Sequence, residues 1–363
     1  LGVLRKPGQA DLPAGFGAFR DGQLVSMIGL QARRFHFGRS TVLAASGHSF
    51  ISGKAGRGAG FRLAKMALSD ERYAAVYTLN NNALASRFYK RMGLQPWLGP
   101  RARKTMEWPV HSVTFAAGRA LSLFARTENG YSSLAAREWF RSGPRALDRG
   151  IRNEPEIVRL DPTRPDHADL IERFDRALHA SHYIAPLRSA DVYAYQMKDP
   201  DAPNRSALFG FIEDDRLVGL MQAVMTKPNS FEPAELQIID LAHLPDRDGA
   251  RIIPPLIRTA RRLAYQHRLS RIRLHLSDRF EPVCFHGTGF RYERTLGYDA
   301  AHASFAKGME QLQARWVPTG FEGDFFFALR TIPERRKRPH KSALLEPARG
   351  GSAFTERRRP VSW

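Results

Sequence analysis

Asn82-Ala83-Leu84-Ala85-Ser86-Arg87-Phe88-Tyr89-Lys90-Arg91-Met92-Gly93-Leu94 is the stretch on which the reading of the fold turns. Asn80, Asn81 and Asn82 interrupt an apolar run at residues 73–79 that reads as a strand, and an asparagine side chain suits a helix N-cap. The helix then runs from about residue 83 to 92, and Gly93 supplies the stop. A buried strand delivering directly into a short helix is the unit of a layered α/β arrangement.

Working upstream, Gly53-Lys54-Ala55-Gly56-Arg57-Gly58-Ala59-Gly60 is a basic, glycine-rich loop that opens a short helix at residues 61–68. A helix start presents backbone N–H groups and the positive end of the dipole, and glycine lets a phosphate approach closely. Such a loop is a natural pyrophosphate cradle. Before it, strands at residues 15–20, 24–37 and 41–52 read as an antiparallel meander, with Asp21-Gly22-Gln23 as the first turn. Residues 1–14 read as an irregular lead-in.

The helix fits Asn-x-x-Ala-x-x-Phe-Tyr-x-x-x-Gly-[Phe/Leu], and with the loop upstream it resembles the GNAT superfamily, the Gcn5-related N-acetyltransferases. The resemblance implies that Arg57, Gly58, Ala59 and Gly60 match the family's Arg/Gln-x-x-Gly-x-Gly/Ala loop, which binds the pyrophosphate of acetyl-CoA. It implies that Asn82 contacts the pantetheine arm and that Tyr89 protonates the departing thiolate. An acceptor amine, of a small molecule or a protein, would attack the acetyl carbonyl directly while a base removes its proton. The strand at 41–52 carries no carboxylate; His48 is its titratable group and the candidate base.

Three features depart from the family pattern. Arg62 stands where the last Gly or Ala of the loop motif is expected, and Ser69-Asp70 ends the helix early. The family's first strand and two following helices have no counterpart in residues 1–14; with a leucine at position 1, this reads as an N-terminal fragment.

The second half repeats the order of elements. Strands are expected at 156–160, 207–212, 217–225, 235–243 and 271–276, with helices at 166–180, 191–197 and 252–267. Its loop holds Asp248 where Arg or Gln should stand and Arg251 in place of the first motif glycine, and Pro254-Pro255 intrude on the helix. An aspartate there repels a pyrophosphate, so this half is expected to be degenerate. The expected fold class is mixed α+β, with two tandem GNAT-like domains, each a twisted, mostly antiparallel sheet flanked by helices. The boundaries are 1–108 and 154–330, with a partly helical linker at 109–153 and a basic tail at 331–363.

Bulk properties agree with this. A chain of 363 residues, 43% hydrophobic, has material for two cores. The net charge of +20 comes largely from scattered arginines, which attract polyanions such as nucleic acid, anionic lipid or nucleotide-like cofactors alike and mark no dedicated nucleic-acid face. Cys284 is the one cysteine and cannot form an intramolecular disulfide, which fits a reducing cytoplasm. No apolar run approaches the ~20 residues of a bilayer span. His243, His275 and His286 make no convincing ligand set, so no metal is expected. The function expected is acetyl-CoA-dependent N-acyl transfer; the alternative is an inactive GNAT-like binding or scaffold protein.

Overall fold

The computed structural model describes residues 7, 9, 12–37, 40–124, 147, 154–180, 184–198, 206–226, 233–275 and 280–323. Most of the expected partly helical linker beyond residue 124, and the basic tail, lie outside these residues. In chain order, the first half holds β1 (Gly15–Arg20), β2 (Gln23–Phe37), β3 (Ser40–Ser52), α1 (Ala59–Leu68), β4 (Ala75–Thr78), α2 (Ala83–Arg91), β5 (Gln95–Pro96), β6 (Lys104–Pro109) and α3 (Ser112–Phe124). There follow β7 (Ile157–Leu160), α4 (Pro165–Ala180), β8 (Ala185–Pro186), α5 (Ala190–Met197), β9 (Ser206–Glu213), β10 (Arg216–Thr226) and β11 (Glu235–His243). The last are α6 (Gly249–Gln266), β12 (Arg271–His275), β13 (Tyr292–Thr295), β14 (His302–Phe305) and α7 (Glu310–Arg315).

The strands form two mixed sheets. The first runs β1-β2-β3-β4-β14-β5, with β8 added along β2; the second runs β7-β9-β10-β11-β12-β6-β13. In each, one central pair is parallel, β3 with β4 and β11 with β12, and the other pairings are antiparallel. The hairpins correspond in detail. Asp21 and Gly22 have φ of 51° and 74°, and Asp214 and Asp215 have 49° and 56°. Positive φ at both central residues is the two-residue turn whose twist suits a hairpin. Two residues into the returning strand, each hairpin carries an extra residue, Val25 in β2 and Val218 in β10.

The halves exchange strands. β6, from the first half, lies between β12 and β13 in the second sheet, and β14, from the second half, lies between β4 and β5 in the first. Apart from β7 and β8, the strand order of the two sheets matches once this exchange is made. A sheet therefore cuts across the expected boundary at residue 108.

The helix expected at 252–267 forms with its prolines inside it. Pro254 and Pro255 lie inside α6, which runs unbroken to Gln266. Each removes an N–H donor, but both are buried with Ile252, Ile253, Leu256 and Ile257, and that packing offsets the loss. Where the second half was expected to carry a helix after its fifth strand, the described residues hold only a 3-10 turn, Pro282–Phe285.

Both faces of the first sheet are covered. Buried Ala59, Gly60, Leu63, Ala64 and Ala67 recur on one side of α1 at helical spacing and, with Tyr89 and Met92 of α2, pack over Ile28 and Leu30. On the other face Trp316 sits among Phe35, Tyr77 and Trp97, with ring centroids 4.5 to 4.8 Å away. Nearby, buried Arg188 binds Asp240 of β11 through two nitrogens, at 3.0 and 3.2 Å, and Glu322 at 3.3 Å. The Tyr77 hydroxyl donates to the Glu322 carbonyl and Arg33 to that of Gly323, which fastens the last described residues between the sheets.

Candidate active site

The parallel pair β3/β4 parts company early. Ala44, Ala45 and Ser46 pair with Ala75, Val76 and Tyr77, and there the ladder ends, although β3 continues to Ser52 along β2. Against β2, β3 then carries one extra residue between His48 and Ile51, and Ser49 within it has a φ of +49°. Such a bulge bends a strand and re-aims its side chains. It lies beyond the end of the parallel ladder, since β4 stops at Thr78 while β3 runs on to Ser52. A cavity of about 690 Å³ opens between them, at the carboxyl ends of two parallel strands, where α/β sheets characteristically bind ligands.

His48 and Phe50 line one wall; Asn82, Phe88 and Tyr89 line the other, with Arg87 and Arg91 one helical turn apart at the rim. No Asp or Glu lines the cavity among the described residues. A cationic rim over aromatic walls suits an anionic ligand with an apolar arm. The His48 ring lies over Gly29, where a Cβ would fall 2.3 Å from it, and Nδ1 is 3.1 Å from the Ser49 hydroxyl. The Asn82 side chain accepts from the Ala85 N–H at 2.8 Å, so it caps α2 as expected. Tyr89 is buried, with its ring 5.8 Å from Phe88 and 6.2 Å from His302.

Arg57, Gly58, Ala59 and Gly60 do not line the cavity itself. They form the entrance to α1: Gly58 is the N-cap at φ +81°, and Arg57 stands exposed beside it. Gly58 makes no side-chain cap hydrogen bond at the start of α1, and no acidic residue lies in the first turn. The loop and the cavity meet at Phe50. A Cβ at position 60 would come within 2.5 Å of Phe50 Cζ, and the Phe50 ring stacks on Phe88 at 4.6 Å. The corresponding helix of the second half is closed: the Asp248 carboxylate caps α6, accepting from the Ala250 N–H at 2.9 Å. Beyond Ile238, where β11 stops pairing with β12, Gly320 lies so close that a Cβ would be 2.8 Å from the Ile239 carbonyl oxygen, and the Thr319 hydroxyl binds Asp240 at 3.2 Å.

Sequence reasoning missed His302. It arrives on the exchanged strand β14, fully buried, behind the asparagine loop. The Asn81 amide donates to His302 Nδ1 at 3.0 Å and to Thr78 Oγ1 at 2.7 Å, which leaves the imidazole proton on Nε2. Burial lowers its pKa against the pull of Asp299, keeping the ring neutral. Asp299 in turn binds Lys90 at 2.9 Å and Arg103 at 2.6 Å, pinning the end of α2 to the loop before β14. No local signal marks this contact, because β14 is four residues long and its partner lies far back in the chain.

No protein-family model matches the sequence, and no curated protein matches it. Solved structures are similar in overall course. A GCN5-related N-acetyltransferase from Anabaena variabilis is 11% identical with a TM-score of 0.47, over 86% of this chain and 66% of that one. A probable N-acyltransferase from Enterococcus faecalis is 12% identical with a TM-score of 0.44, over 80% and 61%. Saccharomyces cerevisiae N-myristoyltransferase, solved with bound myristoyl-CoA, is 9% identical with a TM-score of 0.47, over 83% and 72%. The chain thus spans less than two thirds of the length of the first two.

Proposed function

We propose that this chain is a GNAT-type N-acyltransferase in which the first sheet holds an acyl-CoA donor, acetyl-CoA above all, and the second sheet is a degenerate tandem copy. The observation that carries the reading is the conjunction of the β3/β4 splay with the start of α1, where Gly58 makes no side-chain cap hydrogen bond. The pyrophosphate takes the N–H groups after Gly58, with Arg57 neutralising it. The pantetheine arm enters the splay, where β3 beyond Ser46 no longer pairs with β4, beside Asn82 and Phe50. The thioester carbonyl then lies against the backbone of β3.

The chemistry is a direct displacement. The nitrogen of an acceptor amine attacks the thioester carbon, and the carbon–sulfur bond breaks as the amide forms. His48 takes the amine proton, and the Tyr89 hydroxyl supplies one to the leaving thiolate. Both a small-molecule and a protein amine satisfy this scheme. The second half contributes β14, whose His302 holds Asn81 beside the cavity. The absence of a carboxylate from the cavity lining among the described residues favours one other reading, a GNAT-like binding protein without turnover.

Calorimetric titration of the full chain with acetyl-CoA tests the donor site. Binding is expected, weakened about tenfold or more by Arg57→Glu, which corresponds to about 1.4 kcal/mol. No heat at millimolar acetyl-CoA overturns the proposal. Binding without release of CoA thiol, across a panel of amines, selects the binding-protein reading.

A further inference from the structure

A second cluster of ligating side chains lies away from the cavity, where the end of β2 meets α4. Asp175 and His179 are one turn apart and share a face of α4. His36, the penultimate residue of β2, stands opposite Ala185 of β8 and brings its ring to 3.6 Å from that of His179. One ligand atom from each of the three lies within 4.8 Å of the other two. The protein half of a metal site is therefore assembled from elements 139 residues apart.

We propose that His36, Asp175 and His179 bind a divalent transition metal, zinc in the first instance, that clamps the end of β2 to α4. Two imidazoles and one carboxylate are a donor set that zinc accepts, leaving a fourth position to solvent. Donor atoms at about 2.0–2.2 Å from a tetrahedral ion stand roughly 3.5 Å apart, so closing the site takes side-chain rotations of about 1 Å. The carboxylate is already oriented: Asp175 is buried and its Oδ1 accepts from the Arg188 backbone N–H at 2.8 Å. Outer hydrogen bonds of this kind set the direction of ligands in metal sites. The direct Asp175–His179 hydrogen bond, at 3.0 Å, accounts for two of the residues as an ordinary helix-surface pair. It gives no reason for the third ring, nor for His179 Nδ1, which is buried with no hydrogen-bond partner among the described residues.

This site is independent of acyl transfer and is tested without it. The full chain, stripped with chelator and dialysed, is titrated with zinc chloride by calorimetry and with cobalt(II) by visible absorption. One equivalent is expected to bind, with cobalt bands of a four-coordinate site and a rise in Tm on adding zinc. His36→Ala is expected to weaken zinc binding by about 100-fold or more and to abolish the Tm rise. Asp175→Asn serves as the second variant, since it keeps the acceptor for the Arg188 N–H while losing the charge; it too is expected to lose the metal. Equal zinc affinity in the parent chain and both variants, or no binding by the parent chain at about 100 µM zinc, overturns the proposal.

Discussion

Gly60 offers a way to perturb the donor site without touching a charge. A Cβ placed there would stand 2.5 Å from Phe50 Cζ and 3.1 Å from Cε2, with Ser26 Oγ 3.5 Å away on another side. Carbon atoms settle at about 3.5–4.0 Å, so Gly60→Ala forces the Phe50 ring to retreat by roughly 1 Å. Phe88 stacks on it at 4.6 Å, so the space left to it is the cavity that both rings line, where the displaced ring obstructs a ligand. Overpacking of this size costs about 1–3 kcal/mol. About 1.4 kcal/mol of that, expressed at the site, corresponds to a tenfold rise in Kd for acetyl-CoA. The assay is calorimetry on Gly60→Ala, Phe50→Ala and the double variant. Removing the ring removes the clash, so the double variant is expected to bind as Phe50→Ala does, with a coupling well above 0.5 kcal/mol. Unchanged affinity in Gly60→Ala, or effects that simply add, refutes the idea that Phe50 links the glycine loop to the cavity.

Three other outcomes are expected. Burial pushes the His275 pKa from 6.5 down to about 3, reinforced by Arg273 and Arg294. The unfolded chain therefore binds the extra proton, and this part of the stability is complete above pH 6.5 and lost as pH falls toward about 3; His275→Gln should flatten Tm against pH between 6.5 and 5, and an unchanged slope would contradict it. Burial raises the Glu107 pKa, but Arg273, Arg271 and the Tyr292 hydroxyl outweigh it and hold the carboxyl below its ordinary 4.5. Its contribution is present above pH 4.5 and lost as pH falls below that value, and Glu107→Gln should cost about 1.5–3 kcal/mol at pH 7 in denaturant unfolding, because Arg271 and Arg273 lose charge-assisted hydrogen bonds and are left with Glu235 as their buried carboxylate. Residues 1–108 alone lack β14 and should show no cooperative thermal transition by circular dichroism; a sharp two-state melt would mean that the first sheet closes without it.

What the sequence made legible was local. Asp21-Gly22 announced its turn, Asn82 its cap, and Gly93, at φ +99°, the end of α2, because each acts on a neighbour within a few residues. The glycine loop and α2 could be placed on either side of β4 for the same reason. The cavity between them was not legible, since it depends on the register of β3 against two partners and on the bulge at Ser49. The strand exchange escaped for a related cause: β6 and β14 are short, and Thr105 meets His275 across 170 residues. The three residues of the proposed metal clamp show no telling spacing either, because one of them comes from a distant strand. Pro254 and Pro255 sit inside the helix expected at 252–267, and α6 accommodates both by burying them.

The exchange of strands also sets a timetable for synthesis. The contact between Asn81 and His302 spans 221 residues, and β5 pairs only with β14. At about 5–20 residues per second, the ribosome takes between about ten and about forty-five seconds to deliver β14 after Asn81 has been made. During that interval the edge of β4 that β14 covers among the described residues presents N–H and C=O groups to other nascent chains nearby. The first half is translated first yet finished last, so its exposure to misassembly is governed by the elongation rate of the second half.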